Sequence, residues 1–143
     1  MPSPAQKPQL KPAAELSIAA LAGIPLVKEG DDIAGLILNG LAASGLSLRR
    51  GDVLVIAQKI VSKSEGRVVD LREITPSPRA KQLAAEVEKD ARLVELVLRE
   101  STEVVRHRKG VLVVAHRSGI VLANAGIDAS NVLGDEHHVL LLP

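Results

Sequence analysis

Two lysines, Lys59 and Lys63, follow a run of aliphatic residues at 53–56 in a pattern that suits phosphate binding. Open α/β sheets commonly place ligands beyond the carboxyl ends of their strands, so side chains that follow such a run come close to a bound molecule. An ammonium group neutralises phosphate charge, and Gln58 and Ser62 can donate hydrogen bonds without adding charge. The stretch lacks the glycine-rich loop of a Walker motif, and it is equally typical of a solvated surface loop.

A second candidate site is the run of small polar residues at 124–131, in which Asp128 is the one carboxylate. Mg²⁺ or Mn²⁺ is typically held by one or two carboxylates, while water and substrate phosphates complete an oxygen shell. Asp128 could be one such ligand. The same residues also fit an ordinary turn in which Asn124, Asp128 or Asn131 caps backbone groups.

Three further motifs carry weaker signals. Residues 23–27 pair a flexible glycine with a rigid proline, which suits either a pocket wall made of backbone groups or a plain strand-to-helix bend. His137 and His138 are adjacent and would point to opposite faces of a strand, so joint metal ligation is not expected. The basic residues at 106–109 are interpreted as a solvated helix end. Neither of these last two clusters is assigned a catalytic role.

Composition narrows the functional classes. The 143 residues include no Phe, Trp, Tyr or Cys, which excludes stacking on an aromatic side chain, disulfides and thiolate chemistry. Eighteen basic against 17 acidic side chains leave a formal charge of +1, too little for the broad positive field of a nucleic-acid binder. The most apolar stretch, 16–27, is interrupted by Pro25 and is too short to span a bilayer. We therefore expect a cytoplasmic protein without nucleic-acid or membrane partners.

The spacing of apolar residues predicts an α/β fold of the α+β kind, with helices packed on a mixed sheet. Residues 1–12 contain four prolines and are predicted to be a flexible tail, followed by one domain at 13–143. Alternation predicts a strand at 16–20, and the continuous aliphatic run predicts a strand buried on both faces at 53–56.

Capping residues predict three helices. Asp31 and Asp32 begin the first, which Gly45 ends. Ser77 with Pro78 begins the second, over residues 79–89. The third starts at Asp90 and carries an apolar stripe that extends through Val104 and Val105.

Further strands are predicted at 68–71, at 111–114 and 120–122 around a polar turn, and at 139–142. The last of these is expected to be an exposed apolar edge. Because an unpaired edge offers free backbone donors and acceptors, it favours a homodimer or pairing with another polypeptide.

Four segments, in this order and separation, resemble the γ-glutamyl ligases of the deazaflavin coenzyme F-420. They are residues 23–32 (GIPLVKEGDD), 51–66 (GDVLVIAQKIVSKSEG), 93–101 (LVELVLRES) and 124–131 (NAGIDASN). The resemblance covers nearly everything after the tail. It implies an enzyme that uses GTP to join L-glutamate through its amine to a carboxylate of the coenzyme precursor. The product is an amide, formed by way of an acyl phosphate with release of GDP and phosphate.

The resemblance also implies roles for individual residues, although it identifies no catalytic residue. Asp128 matches a ligand of Mg²⁺ or Mn²⁺. The positions that match nucleotide contacts are Ile24, Pro25, Leu26, Val27, Gln58, Lys59, Lys63 and Asn131.

Members of this family continue beyond the position of Pro143, through a segment with a second metal-binding aspartate and further nucleotide contacts. The resemblance thus implies that this chain corresponds to the amino-terminal part of the ligase, with a fold incomplete relative to the full-length enzyme. A complementing carboxyl-terminal half would then be its partner. The alternatives are a non-catalytic nucleotide-binding or assembly module on the same scaffold, or a ligase with different substrates.

Overall fold

The computed structural model describes residues 16–130, 132 and 136–143; the predicted tail at 1–12 and Asn131 lie outside these residues. The predicted α/β fold is confirmed, but in place of one mixed sheet the described strands form two small antiparallel sheets. No helix in this part of the chain is long and apolar enough to cross a membrane. The elements are α1 (Ile33–Ala43), α2 (Gln58–Ser64), β1 (Val68–Asp70), α3 (Pro78–Val87), α4 (Ala91–Arg99), β2 (Ser101–Arg108), β3 (Val111–His116), β4 (Val121–Ala123) and β5 (His138–Leu140), with single 3₁₀ turns at Leu71–Glu73 and Asn124–Gly126.

The predicted helix starts are confirmed. Ser77 Oγ accepts a hydrogen bond from the Ala80 amide at 3.2 Å, with Pro78 in the first turn of α3, and Asp90 Oδ1 accepts one from the Arg92 amide at 2.8 Å. Asp32 precedes α1 in the N-cap position without a capping hydrogen bond from its side chain, and Gly45, with φ +63°, follows the last turn of the helix. These boundaries depend on local hydrogen bonds and on the conformational freedom of glycine, which the sequence displays directly.

We expect replacement of Ser77 by Ala to lower the free energy of unfolding by about 1 kcal/mol, because the Ala80 amide loses its cap. The Ser77 backbone amide would keep its hydrogen bond to Glu95 Oε2. Urea unfolding followed by circular dichroism measures the change, with Ser47→Ala in an exposed loop as the control. Equal unfolding midpoints for the two variants would contradict this role of Ser77.

The larger sheet has the order β2–β3–β4, with Val104 opposite Val114 and Leu122 opposite the same residue from the other side. The prediction that the third helix continues through Val104 and Val105 is wrong, since α4 ends at Arg99 and the chain enters β2. The basic residues at 106–109 accordingly lie in β2 and its turn and not at a helix end. Pairing with β3 accounts for the difference, because β-branched residues suit a strand once a neighbour is present.

The smaller sheet pairs β1 with β5, with Val69 opposite Val139. The strand predicted near 139–142 is therefore confirmed in β5, but its expected exposure is wrong: Val139 and Leu140 are fully buried and Leu141 is nearly so. This run packs on Leu71 and Leu96. Its backbone pairs with β1 on one side and, at Leu140, with Asp128 on the other.

The main core lies between α3, α4 and β3 and is made of aliphatic side chains. Val87, Val94, Val97, Leu112 and Val114 are all fully buried there. Both helices therefore pack against the sheet β2–β3–β4, whose last strand leads into residues 124–131.

The prediction of strands at 53–56 and 16–20 is wrong, since neither stretch is a strand in the described residues. No neighbouring strand pairs with either stretch, and their aliphatic side chains are exposed. The polar stretch after 53–56 is helical, because α2 spans most of it and Gly66, with φ +65°, ends the turn that follows. A continuous apolar run predicts a buried strand only where a pairing partner is available.

Candidate functional site

The four segments of the family resemblance are numbered here as motifs in chain order, and the second (51–66) and the fourth (124–131) meet at Lys59, in the first turn of α2. Its ammonium lies 3.2 Å from Asp128 Oδ2 and donates hydrogen bonds to the carbonyl of Ser130 at 2.6 Å and to its hydroxyl at 3.3 Å. Lys59 and Asp128 are each about one-third exposed. The fold thus brings together a cation and an anion from the two motifs that the sequence marks separately, at a point that solvent reaches.

Asp128 is fixed by its backbone as well as by its side chain. Its amide and carbonyl both pair with Leu140, at 2.9 and 2.8 Å, and Leu140 is fully buried. Asp128 Oδ1 accepts hydrogen bonds from the Ser130 amide at 2.8 Å and from the Ser130 hydroxyl at 2.6 Å. The second carboxylate oxygen is therefore the one held towards Lys59.

The hydrogen bonds from Ser130 and the neighbouring Lys59 ammonium hold the pKa of Asp128 below its usual value, against the opposing effect of burial. The carboxylate is consequently ionised at neutral pH. A depressed folded-state pKa means that these contacts stabilise the fold above the ordinary aspartate pKa of about 3.9 and are lost as the pH falls below it.

Gln58 ties α2 to the same segment by donating a hydrogen bond from Nε2 to the Gly126 carbonyl at 2.9 Å. Gly126 has φ +68°, and a Cβ there would come within 2.7 Å of the side chains of Leu122 and Leu142. Glycine is required at this point by both conformation and space. The first turn of α2 is thus joined to residues 126–130 at two positions.

Lys63 stands one helical turn beyond Lys59 on α2, so the two side chains share a face of the helix. Among residues 16–130, 132 and 136–143, no carboxylate lies within ion-pair distance of the Lys63 ammonium. The lysine in contact with Asp128 is therefore Lys59. Lys63 adds positive charge on the same side of α2.

The first motif lies near the carboxyl end of α2. The Gly30 amide donates to the Ser64 carbonyl at 2.8 Å, and the Glu29 side chain lies against Gly66. Within the stretch predicted to contact nucleotide, Val27 is buried, whereas Leu26 is 89% exposed.

Ile24 packs against α1, since a Cβ added at Gly40 would come 2.7 Å from Ile24 Cδ1. Pro25, next to it, is exposed. The structure thus connects the segment that contains Ile24 and Pro25 to both α1 and α2, while Asn131, the last predicted nucleotide contact, lies outside the described residues.

The donor atoms near Asp128 fit a hard divalent cation by type. A carboxylate oxygen and the oxygens of Ser130 are the ligands that Mg²⁺ and Mn²⁺ prefer. Within the described ranges, however, no group of three or more His, Asp or Glu side chains lies together. Asp128 would therefore hold such an ion only together with water, nucleotide phosphates or ligands from elsewhere.

The sequence analysis missed a charged cluster around Glu100, which follows α4 and is 8% exposed. Glu100 Oε2 lies 2.6 Å from Arg67 Nη2, 2.9 Å from Arg117 Nη2 and 3.6 Å from His116 Nε2. Arg67 also donates from Nε to the Leu142 carbonyl at 2.9 Å. These residues link the two sheets, and no local pattern could reveal them because they come from three distant parts of the chain.

Comparison with known proteins confirms the resemblance. The F420-0:gamma-glutamyl ligase family model matches residues 23–143. The chain is 49% identical to the coenzyme F420:L-glutamate ligase of Methanothermobacter thermautotrophicus over 117 residues, which are 82% of this chain and 46% of that protein. It is 49% identical to the ligase of the same name from Archaeoglobus fulgidus over 121 residues, 85% of this chain and 45% of that protein.

A ligase of the same name from Halorubrum lacusprofundi is 40% identical over 134 residues, which make up 90% of this chain and 50% of the relative. The chain thus spans about half the length of the curated relatives that it matches, in agreement with the amino-terminal part predicted from the motifs. All four motifs, and the contacts of α2 with Asp128, lie within the matched residues. This chain belongs to the F420-0:gamma-glutamyl ligase family.

Proposed function

We propose that this chain supplies nucleotide- and metal-binding groups to a GTP-dependent ligase that joins L-glutamate to the coenzyme F-420 precursor. The observation that carries the proposal is the contact of Lys59 with Asp128 and Ser130, which unites the second and fourth motifs. Because the chain belongs to this ligase family, we interpret the contact as part of a nucleotide- and metal-binding site.

In this proposal α2 presents positive charge to the GTP phosphates. The ammonium groups of Lys59 and Lys63, on one face of α2, neutralise charge on the phosphate oxygens. The segment with Ile24, Pro25, Leu26 and Val27, which reaches the end of α2 through Gly30, borders the nucleotide. Through its hydrogen bond to the Gly126 carbonyl, Gln58 holds residues 124–131, which include Asp128, against α2.

The ion pair between Lys59 and Asp128 is suited to exchange. Because both side chains are about one-third exposed, separating them costs little free energy. Lys59 can then turn to a phosphate oxygen and leave Asp128 Oδ2 available to a cation, while the Ser130 hydrogen bonds keep the carboxylate in place. Bound Mg²⁺ or Mn²⁺ would supply further charge neutralisation at the phosphates.

The reaction that these groups would assist proceeds in two displacements. A carboxylate oxygen of the coenzyme precursor attacks the terminal phosphorus of GTP, the bond to the bridging oxygen breaks, and GDP leaves. The amine of L-glutamate then attacks the resulting acyl phosphate, inorganic phosphate leaves, and the nitrogen loses a proton. The contribution of this chain is to position the phosphates and stabilise their charge.

The direct test supplies GTP, Mg²⁺ or Mn²⁺, L-glutamate and the coenzyme precursor to the purified chain, alone and with the carboxyl-terminal half of a relative. We expect amide product, with one GDP and one phosphate released per bond, once that half is present. Mass spectrometry identifies the product. No product with both halves present would overturn the proposed function.

A non-catalytic nucleotide-binding or assembly module remains the second candidate. It is favoured by the single carboxylate in the candidate metal site, since Mg²⁺ bound through one protein ligand depends on other groups to complete its shell. Calorimetry with GTP separates the two. Metal-dependent binding without ligation in the presence of the second half indicates the module.

A further inference from the structure

Four consecutive aliphatic residues before α2 are exposed to solvent. Val53, Leu54, Val55 and Ile56 are 81%, 46%, 90% and 41% exposed. Single exposed aliphatic side chains are ordinary on protein surfaces, but a contiguous run of them marks an interaction site. In the described residues no strand pairs with this run, so its backbone donors and acceptors are also open.

The exposure is concentrated in one part of the chain. Eleven of the 14 exposed large aliphatic side chains in the described residues precede α2, and after it only Val105, Ile120 and Val121 remain. Helix α1, in the same part, makes no extensive contact with another helix or strand of the described residues. Both core clusters use residues after α2, whereas most of the earlier large aliphatic side chains, apart from buried ones such as Val27 and Leu41, remain exposed.

We propose that the 53–56 run is a docking strand for the carboxyl-terminal part of the ligase, the part that this chain does not span. The inference rests on the proposed function and names the surface at which the remaining half joins. The run lies within the residues that match the family model, and the relatives are about twice as long as this chain, so an equal share of a relative's chain is available to cover it. Strand addition supplies backbone hydrogen bonds, and apolar side chains then cover both faces.

The composition of the run distinguishes this occupant from a second copy of the chain. In a strand, Val53 and Val55 point to one face and Leu54 and Ile56 to the other, so all four are apolar on both sides. Self-pairing of two copies would cover one edge of the run and neither face. A partner that pairs strands with both edges of the run and packs apolar side chains on both of its faces covers all of its backbone groups and side chains.

The test is co-expression of the tagged chain with the carboxyl-terminal half of the Methanothermobacter thermautotrophicus ligase, without nucleotide or precursor. We expect a one-to-one complex in which hydrogen exchange at the amides of 53–56 slows at least about tenfold. The double variant Val53→Lys with Val55→Lys should weaken the complex by about 100-fold. Both side chains are almost wholly exposed in the chain itself, so the lysines leave its fold intact, which circular dichroism verifies.

The matched control is Ile120→Lys, an exposed aliphatic position outside the run, which should leave the complex unchanged. Absence of a complex with the unmodified chain overturns the proposal, and so does a complex that the double variant forms equally well. Self-association through 53–56 in place of the complex overturns it in favour of a second copy. A complex that forms through this run but catalyses no ligation contradicts the proposed function and leaves the docking strand supported.

Discussion

Asp128→Asn is expected to weaken metal-dependent GTP binding by about 100-fold or more, a loss at least as large as that caused by removing a group that merely orients a metal ligand. The amide oxygen of asparagine can still accept the hydrogen bonds from Ser130, so the turn is preserved while the negative charge is lost. Calorimetric titration with GTP in the presence of Mg²⁺ or Mn²⁺, and with the metal omitted, measures the effect. Binding that remains without metal should be nearly unchanged.

Asp52→Asn provides the matched control. Asp52 also lies in an exposed turn, where its Oδ2 accepts a hydrogen bond from the Arg49 amide at 2.8 Å. The chemical change is the same, but it occurs away from Lys59, so metal-dependent binding should persist. Equal affinities of the Asp128 and Asp52 variants would remove Asp128 from the metal site.

Glu100→Ala is expected to lower the free energy of unfolding by roughly 3 kcal/mol, at the lower end of the cost of breaking a buried ion pair because Arg117 is half exposed. The substitution leaves Arg67 beside a vacated carboxylate site and removes the group nearest to His116 Nε2. Urea unfolding monitored by circular dichroism measures the loss.

Glu103→Ala, an exposed acidic position in β2, is the control and should change stability by less than about 0.5 kcal/mol. Arg117→Met tests the same cluster from its exposed side and should cost less than Glu100→Ala. A Glu100 variant as stable as the Glu103 variant would show that the cluster does not join the sheets.

Local signals in the sequence predicted the parts of the fold that depend on neighbouring residues. Ser77 and Asp90 start their helices because each side chain caps amides two or three residues ahead, and the polar turn at 117–119 separates β3 from β4. The secondary structure of residues 101–108 depends instead on pairing with β3. Helical and strand periodicities are both compatible with that stretch until its neighbour is known.

The sequence predicted which segments contain the candidate site residues, but it did not predict which of those residues contact each other. The sequence marks Lys59 and Lys63 alike as phosphate-binding candidates, whereas in the described residues it is Lys59 that contacts Asp128. The difference arises because residues 58–64 form a helix, so that Lys59 occupies the turn facing the fourth motif. The sequence predicts a strand followed by a loop here, and that geometry does not place Lys59 in a helical turn beside residues 124–131. The Glu100 cluster was beyond prediction for a similar reason, since its members meet only when both sheets have formed.

The aliphatic core of Val87, Val94, Val97, Leu112 and Val114 has a practical consequence for studying this protein. A protein without Phe, Trp, Tyr or disulfide bonds is nearly transparent in the near ultraviolet. In the GTP titrations described above, absorbance of the guanine base can therefore be recorded with almost no background from the polypeptide. Difference spectra in that region would report the surroundings of the ligand alone.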